Sequence, residues 1–372
     1  MTDTSSPSTL VVGAGIAGAS VAFALARRGG RVRVVDPLRE GQATAASAGI
    51  IQPWAYSGDD AFYELYHGGA AYYPEVLREL AALGITHTDF RRSGGLIVNA
   101  DKEKLRAAAE RVVERAQAAP ELIGTIEVID NARARELFPP LATGLDAVYI
   151  EGGARVDGRT MRDALLEGAR RCGAEIASSE VELRPSGEGV AAHVDGVAAT
   201  EDAIVLAAGA WSAALLAELG IDIPVAPQRG QITHLRVADA DTSNWPTIHP
   251  LSHHYIVAFD GGRIAVGATR EKGSGFDPRV TAAGQAQVLN DALSIAPGLA
   301  DATLIETRVG LRPLPDGLMP LVGAVPGMQR LHLATGYGAA GLTMGPLLGD
   351  ALARQILGLR APELEHTTLL PA

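Results

Sequence analysis

Cysteine is almost absent from this chain, and that absence narrows the possible chemistry. Cys172 is the single cysteine among 372 residues. One thiol cannot form an intrachain disulfide or a cluster of thiolate ligands for zinc or iron–sulfur. His253 and His254 are adjacent in a segment with strand character, so we expect them to point to opposite faces. The sequence therefore predicts no metal site.

An excess of positive charge and a long apolar run are also lacking. The chain has 32 basic and 43 acidic residues, a formal net charge of −11, which argues against binding nucleic acid or an anionic membrane. The most apolar window, 203–219, is broken by Gly209 and Ser212 and is too short to span a membrane comfortably. Residues 1–8 are polar and lack the pattern of a signal peptide. We therefore expect a cytoplasmic protein without a transmembrane segment.

What the chain does contain is typical of a globular protein with a large core. Hydrophobic residues make up 47% and charged residues 20% of the sequence, close to the average for such proteins. At roughly 150 residues per domain, this length suggests two domains.

The clearest motif is a glycine-rich turn near the start of the chain. An apolar run, 10–12, leads into Gly13, Gly15 and Gly18, then a helical pattern, a stop, and a second apolar run that ends in Asp36. Glycines at this spacing permit a tight turn, backbone approach to a pyrophosphate, and close packing of helix on strand. An acid at the end of the second strand commonly accepts hydrogen bonds from an adenosine ribose. The motif predicts dinucleotide binding but leaves NAD and FAD both open.

The order of elements predicts an α/β protein with an insertion. A βαβ unit comes first, mixed β structure follows in the middle, and a strand, glycine turn and helix return at the end. We predict a Rossmann-like, glutathione-reductase-like domain made from 9–86, 150–225 and 305–372. A substrate domain with a mixed sheet and helices would be inserted as 87–149 and 226–304.

Three local predictions accompany this division. A helix over 60–83 is expected to break or kink at 67–69, because two glycines follow His67 there. Strands over 175–183 and 190–194 should form a hairpin around Gly187 and Gly189. A further strand is predicted over 254–259.

Taken together, the motifs resemble the D-amino-acid oxidase family of FAD-dependent oxidoreductases, which includes glycine oxidase, sarcosine oxidase and D-amino-acid dehydrogenase. The matching segments span nearly the whole chain and occur in the family's order. They are Gly13-Ala-Gly-Ile-Ala-Gly18 with Asp36, 44–51, Gly152-Gly153-Ala154-Arg155-Val156-Asp157, 206–212, Arg229-Gly230-Gln231, Gly267-Ala-Thr-Arg-Glu271, Gly310-Leu-Arg-Pro313, 315–323, and Ala334-Thr-Gly-Tyr-Gly338 through Thr343. This resemblance favours FAD over NAD.

The resemblance also implies which residues contact FAD. The pyrophosphate end would be lined by Gly13, Gly15, Ile16, Ala17 and Gly18, with Asp36 at the ribose and Val181 beside the adenine. The remaining contacts would come from Thr44, Ser47, Ala48, Gly49, Ala208, Gly209 and Trp211, and at the flavin's pyrimidine end from Gly338, Ala340, Gly341, Leu342 and Thr343. A helix N-terminus at that end would stabilise the negative charge of reduced flavin. Some sarcosine oxidases attach FAD to a cysteine after the Arg-Pro motif. The stretch 311–323 contains none, so noncovalent FAD is expected. Family members often carry histidine at the position of Tyr337.

Arg312 and Tyr255 are the candidate substrate residues. The resemblance assigns the arginine of Gly-Leu-Arg-Pro to the substrate carboxylate, which a guanidinium matches with two parallel donors. Alternatively, Arg312 is structural and pairs with an acid such as Asp316. Tyr255 corresponds to a tyrosine that reaches the same carboxylate, unless it is simply a half-buried strand residue. Arg270 either faces the same cavity and binds a second anionic group or is solvated.

The function implied is oxidation of the C–N bond of a small amino acid by hydride transfer to FAD. The substrate would be a D-amino acid, glycine, sarcosine or a cyclic secondary amine, and the imine product would hydrolyse. Two alternatives stay open, an FAD-dependent 2-hydroxy acid dehydrogenase and a flavin-binding subunit of a larger complex. Oxygen or another electron acceptor, such as a quinone or a carrier protein, would reoxidise the flavin.

Overall fold

The computed structural model describes residues 7–58, 61–187 and 189–367. Within these ranges the chain forms twenty strands and nine α-helices. The strands are β1 Ser8–Val12, β2 Arg31–Val35, β3 Ile50–Ile51, β4 Arg91–Arg92, β5 Gly95–Asn99, β6 Ile126–Ile129, β7 Asp146–Ile150, β8 Ala154–Arg155, β9 Glu175–Ala177, β10 Val181–Ser186, β11 Gly189–Val194, β12 Val197–Ala198, β13 Ala203–Leu206, β14 Val225–Arg236, β15 Thr247–His249, β16 Tyr255–Ala258, β17 Arg263–Gly267, β18 Thr303–Pro315, β19 Leu321–Ala324 and β20 Leu331–Thr335. The helices are α1 Ile16–Ala26, α2 Ala61–Ala82, α3 Lys102–Ala118, α4 Pro120–Ile123, α5 Asn131–Leu137, α6 Gly158–Arg171, α7 Ser212–Ala217, α8 Ala282–Ile295 and α9 Gly341–Ile356. No helix in the described ranges is both long and apolar enough to cross a membrane.

A six-stranded sheet organises the first part of the fold, in the order β19-β20-β13-β1-β2-β9. All neighbours in it are parallel except β19 and β20. Val12 aligns with Val35 on one side and with Leu206 on the other, so three strands end at one edge. Ligands of open parallel sheets bind at such an edge.

Helices cover this sheet because its central strands are apolar on both faces. Helix α1 is buried along its whole length and packs against α6 and α9. Gly349 of α9 permits the close approach, since a Cβ there would lie 2.4 Å from the Cβ of Ser20.

A second sheet of eight strands has the order β18-β14-β17-β16-β15-β5-β7-β6. Its longest pairing joins β14 and β18 from Val225 opposite Pro315 to Arg236 opposite Thr303. The backbone N–H of Leu311 in β18 donates to the carbonyl of Gly41, 2.8 Å away. This bond ties the second sheet to the loop that follows β2.

The architecture is the α/β fold predicted from the sequence, a Rossmann-like parallel sheet combined with a mixed sheet. The proposed boundary at residue 305 falls inside β18, which pairs with β14 on both sides of that point. The division into 9–86, 150–225 and 305–372 against 87–149 and 226–304 stays a prediction.

Of the break or kink predicted for the long helix, the break is wrong and the kink stays a prediction. Helix α2 continues through Gly68 and Gly69. A Cβ at Gly69 would lie 2.4 Å from the carbonyl oxygen of Thr343, so this glycine allows α2 to pack closely on α9.

The predicted strand over 175–183 is two strands in different sheets. β9 ends at Ala177 beside β2, and β10 begins at Val181 beside β11. The hairpin that follows is confirmed, with Ser186 opposite Gly189.

Candidate active site

The glycine turn after β1 is held together by close backbone contacts. Gly13 has φ of +105°, and a Cβ there would lie 2.4 Å from the carbonyl oxygen of Ala207. A Cβ at Gly18 would lie 1.9 Å from the carbonyl oxygen of Gly13. Gly15, the N-cap of α1, provides no side-chain cap, and the first turn of α1 carries no acid. The positive end of α1 is therefore available to an anionic group.

Asp36 braces this turn from the end of β2. The side chain is 6% exposed, and its Oδ2 accepts a hydrogen bond from the backbone N–H of Ala14 at 2.6 Å. Its Oδ1 accepts from the backbone N–H of Leu38 at 2.7 Å and from Nε2 of Gln42 at 2.8 Å. A carboxylate has about four acceptor positions, so one is left for a further donor. The ribose contact expected of Asp36 stays a prediction.

The segment that contains Thr44 and Gly49, which follows the loop after β2, also contacts the start of α1. Oγ1 of Thr44 accepts a hydrogen bond from the backbone N–H of Ile16 at 2.9 Å. Gly49 has φ of +78°, and a Cβ there would lie 1.6 Å from the carbonyl oxygen of Val156. Thr44 and Gly49 thus have structural partners in addition to the roles expected of them.

One cavity connects most of the predicted cofactor residues with the predicted substrate residues. Those that line it are Gly13, Gly15, Ile16, Ala17, Asp36, Thr44, Ser47, Ala48, Gly49, Val181, Ala208, Gly209, Trp211, Gly338, Gly341, Leu342, Tyr255, Arg270 and Arg312. The cavity therefore runs from the glycine turn to the ends of β16 and β18.

Three predicted residues are outside the lining of this cavity in the described structure. Gly18 packs beneath the glycine turn. The carbonyl of Ala340 accepts from the backbone N–H of Thr343 and Met344 at the start of α9. Oγ1 of Thr343 donates to the carbonyl of Ile50 at 3.3 Å.

Arg312 enters the cavity from β18. Its Nη1 donates to the carbonyl of Thr269 at 3.0 Å and to Oε1 of Gln228 at 3.3 Å. Both acceptors are neutral, and no ion pair joins this guanidinium to Asp316 or to another acid of the described residues. The guanidinium lies over Gly230, where a Cβ would be 2.4 Å from Nη2. The sequence motifs include Gly230 but give no sign of this contact.

Tyr255 begins β16, opposite Gly267 of β17. Burial raises the pKa of the Tyr255 phenol, and the hydrogen-bonded Arg312 opposes that rise only in part. Tyr255 is therefore a neutral phenol beside a guanidinium at neutral pH.

The predicted strand over 254–259 is shorter than expected, which changes the placement of the two adjacent histidines. β16 starts at Tyr255, because the chain turns before it and Oγ of Ser252 accepts from the backbone N–H of His254 at 3.2 Å. His253 and His254 consequently both line the cavity instead of pointing to opposite faces of a strand. In the described part of the chain, no group of three potential ligands is placed to hold a metal ion.

His249 also lines the cavity, a contact that depends on β15 pairing with β5 and so has no local sequence signal. Burial lowers the pKa of His249 and that of His254 to about 4. Both imidazoles are neutral near pH 7. Among the described residues, neither Nε2 has a hydrogen-bond partner.

The structure of the cavity, apart from the sequence motifs, suits an extended dinucleotide. At one end α1 begins without a side-chain cap beside the glycine turn. At the other, α9 also begins without a side-chain cap and without an acid in its first turn. The buried Tyr337 hydroxyl lines the cavity and has no hydrogen-bond partner within the described ranges. The backbone N–H groups at the two helix starts suit the anionic groups of a flavin dinucleotide, and the Tyr337 hydroxyl suits its amide groups.

Comparison with known proteins gives the family. The model of the DAO family, FAD dependent oxidoreductase, matches residues 8–355. The chain is 44% identical to the structure of iminodiacetate oxidase from Chelativorans sp. BNC1, with a TM-score of 0.94 over 98% of this chain and 100% of that one. It is 44% identical to the uncharacterized oxidoreductase YurR of Bacillus subtilis over 98% of both chains. It is 30% identical to glycine oxidase of Pseudomonas putida over 92% of both.

The chain therefore belongs to the DAO family of FAD-dependent oxidoreductases, as the sequence motifs predicted. FAD is its cofactor.

Proposed function

We propose that this enzyme oxidises the C–N bond of a small amine that carries a carboxylate. The observation that carries this proposal is the position of Arg312. Its guanidinium has neutral protein acceptors, contacts Tyr255, and faces the same cavity as the glycine turn. A partly buried cation without an acidic partner favours an anionic ligand. The names of the relatives, glycine oxidase and iminodiacetate oxidase, support an amino-acid substrate.

Arg312 and Tyr255 would position the substrate. Arg312 can present Nη2 to one carboxylate oxygen while Nη1 stays bonded to Thr269. The Tyr255 hydroxyl can donate to the other oxygen because the phenol is neutral. Two such contacts fix the orientation of the carbon next to the carboxylate, and orientation is the main contribution that a hydride transfer needs from the protein.

Bound FAD would supply the chemistry, by accepting a hydride from the carbon that bears the amine. Gly13, Gly15 and the start of α1 would hold its pyrophosphate, and the start of α9 would lie at its flavin end. The neutral imidazoles of His249 and His254 are weak bases, because burial holds their pKa at about 4. The amine would accordingly lose its proton to water before oxidation. Water would then hydrolyse the imine to a carbonyl compound and ammonia or a smaller amine.

The test is anaerobic mixing of the FAD-loaded enzyme with a panel of substrates while the visible absorbance of oxidised flavin is followed. The panel contains glycine, sarcosine, D-alanine, D-proline and iminodiacetate, together with glycolate and D-lactate as amine-free counterparts. We expect loss of the absorbance with at least one amine and release of ammonia or a smaller amine. Reduction by the hydroxy acids alone would contradict the proposal and favour a 2-hydroxy acid dehydrogenase. Reduction by none of the panel would also contradict it and favour a flavin-binding subunit. Readmission of air or a quinone then identifies the electron acceptor.

A further inference from the structure

A second guanidinium faces the substrate end of the cavity. Arg270 follows β17, and its side chain lines the cavity together with Arg312 and Tyr255 while staying exposed to solvent. Repulsion from Arg270, together with some desolvation, lowers the pKa of His253. Desolvation lowers the pKa of Arg270, and repulsion from Arg312 lowers it further.

The acids that follow Arg270 in the chain are engaged with other residues. Glu271, its neighbour in the chain, accepts hydrogen bonds at Oε2 from Arg229 at 2.7 Å. At Oε1 it accepts from Nε2 of Gln231 and from Oγ1 of Thr269, both at 2.7 Å. Asp277 is paired with Arg229 and Arg279. Within the described ranges, Arg270 forms no ion pair with a carboxylate.

Two like charges facing one cavity are unfavourable unless an anion lies between or beside them. Arg270 is exposed, so solvent screens part of this repulsion, but its side chain also lines the same cavity as Arg312. A monocarboxylate bound to Arg312 and Tyr255 would leave the second cation without a partner. A ligand with two carboxylates would pair both.

We propose that the preferred substrate is a small amine with two carboxylates, one bound by Arg312 and Tyr255 and the other by Arg270. This inference rests on the proposed amine oxidation and specifies its substrate class. It makes Arg270 the residue that distinguishes dicarboxylic from monocarboxylic amines.

The test compares wild type with Arg270→Gln, Arg270→Lys and Arg106→Gln. Arg106 is an exposed arginine of α3 paired with Glu103, so its replacement is a control for loss of one positive charge. The substrates are iminodiacetate, D-aspartate and D-glutamate against glycine and sarcosine. We expect wild type to prefer a dicarboxylate. Arg270→Gln should lower kcat/KM for it by about 10- to 100-fold, the usual effect of removing a charged hydrogen-bond partner. Activity on glycine or sarcosine should change little, and Arg270→Lys should recover part of the loss.

A binding measurement separates recognition from turnover. Diglycolate has the shape of iminodiacetate but carries an ether oxygen in place of the amine, and methoxyacetate is its monocarboxylate counterpart. Calorimetry should show that wild type binds diglycolate more tightly than methoxyacetate, and that Arg270→Gln abolishes the difference.

Three outcomes would overturn the inference. They are equal loss of activity on both substrate classes, unchanged use of the dicarboxylate by Arg270→Gln, and no preference for dicarboxylates in wild type. If glycine or sarcosine still reduces the flavin in those cases, the proposed function stands while the substrate class falls. If no amine reduces it, the proposed function itself falls.

Discussion

The guanidinium of Arg312 packs directly on the backbone of Gly230, in the neighbouring strand. A Cβ on residue 230 would lie 2.4 Å from Nη2, 2.5 Å from Cζ and 2.6 Å from Nη1 of Arg312. β14 and β18 pair residue by residue here, with Gly230 opposite Gly310 and Gln228 opposite Arg312. The position of the candidate substrate residue therefore depends on a glycine in another strand.

Gly230→Ala should displace Arg312 while leaving the fold intact, because a flexible side chain can move where backbone cannot. We expect KM for a carboxylate substrate to rise by about 10- to 100-fold as the charged contact is lost. The control is Gly317→Ala, since a Cβ at Gly317 meets no atom within 4 Å. Steady-state kinetics together with thermal unfolding checks this. An unchanged KM in Gly230→Ala would show that the contact with Gly230 does not position Arg312.

Asp36→Asn should weaken FAD binding by loosening the glycine turn. Asp36 accepts from three N–H donors, and an amide can accept only at its oxygen. One donor at least would lose its partner, which costs about 1–3 kcal/mol when buried. We therefore expect the Kd for FAD to rise about tenfold or more. Titration of the apoprotein, followed by FAD fluorescence, measures it. Asp163→Asn, at an exposed position of α6, is the control; equal affinities in the two variants would refute the role of Asp36.

FAD should leave the protein on denaturation. Cys172, the single cysteine, terminates α6 and is not among the residues that line the cavity in the described structure. We expect acid precipitation to release all the flavin into the supernatant, from wild type and from Cys172→Ser alike. A yellow precipitate from wild type would contradict the noncovalent assignment.

Buried His234 should make stability depend on pH. Burial, followed by repulsion from Arg308 and Arg263, lowers its pKa from 6.5 to about 4. Between these two values the unfolded chain binds a proton that the folded protein does not. The free energy of unfolding therefore decreases as the pH falls from about 6.5 to about 4, by up to roughly 3 kcal/mol for this residue.

Urea unfolding at a series of pH values tests this effect. The slope of unfolding free energy against pH should be shallower in His234→Gln than in wild type. His87→Gln, at an exposed histidine, should keep the wild-type slope. Identical slopes in all three proteins would show that folding does not lower the pKa of His234.

The sequence predicted those parts of the fold and site that depend on local spacing. Gly13, Gly15 and Asp36 are close in the chain, so their pattern alone indicated a strand, turn, helix and strand. The resemblance of Gly-Leu-Arg-Pro to the family motif made Arg312 a candidate substrate residue, and Arg312 does line the cavity. Sequence reasoning failed where a residue's environment is built by distant segments. Gly69 was interpreted as part of a helix break or kink. Its packing contact, Thr343, lies in α9 and leaves no signal in the local sequence.

The remaining omissions have the same physical origin. Gln42 supports Asp36 only after the loop following β2 has folded back. His249 reaches the cavity only through the pairing of β15 with β5. Burial and long-range strand register, which no short motif encodes, decide these positions.

The role of Arg312 in substrate binding is tested most directly by the anaerobic half-reaction of wild type and Arg312→Leu with one amine substrate identified from the panel. We predict that wild type loses its oxidised-flavin absorbance within seconds to minutes. Arg312→Leu should bind the substrate about 2–4 kcal/mol more weakly, because the carboxylate loses its charged partner. It should still bind FAD. Equal reduction of both proteins at the same substrate concentrations would show that Arg312 does not bind the substrate carboxylate.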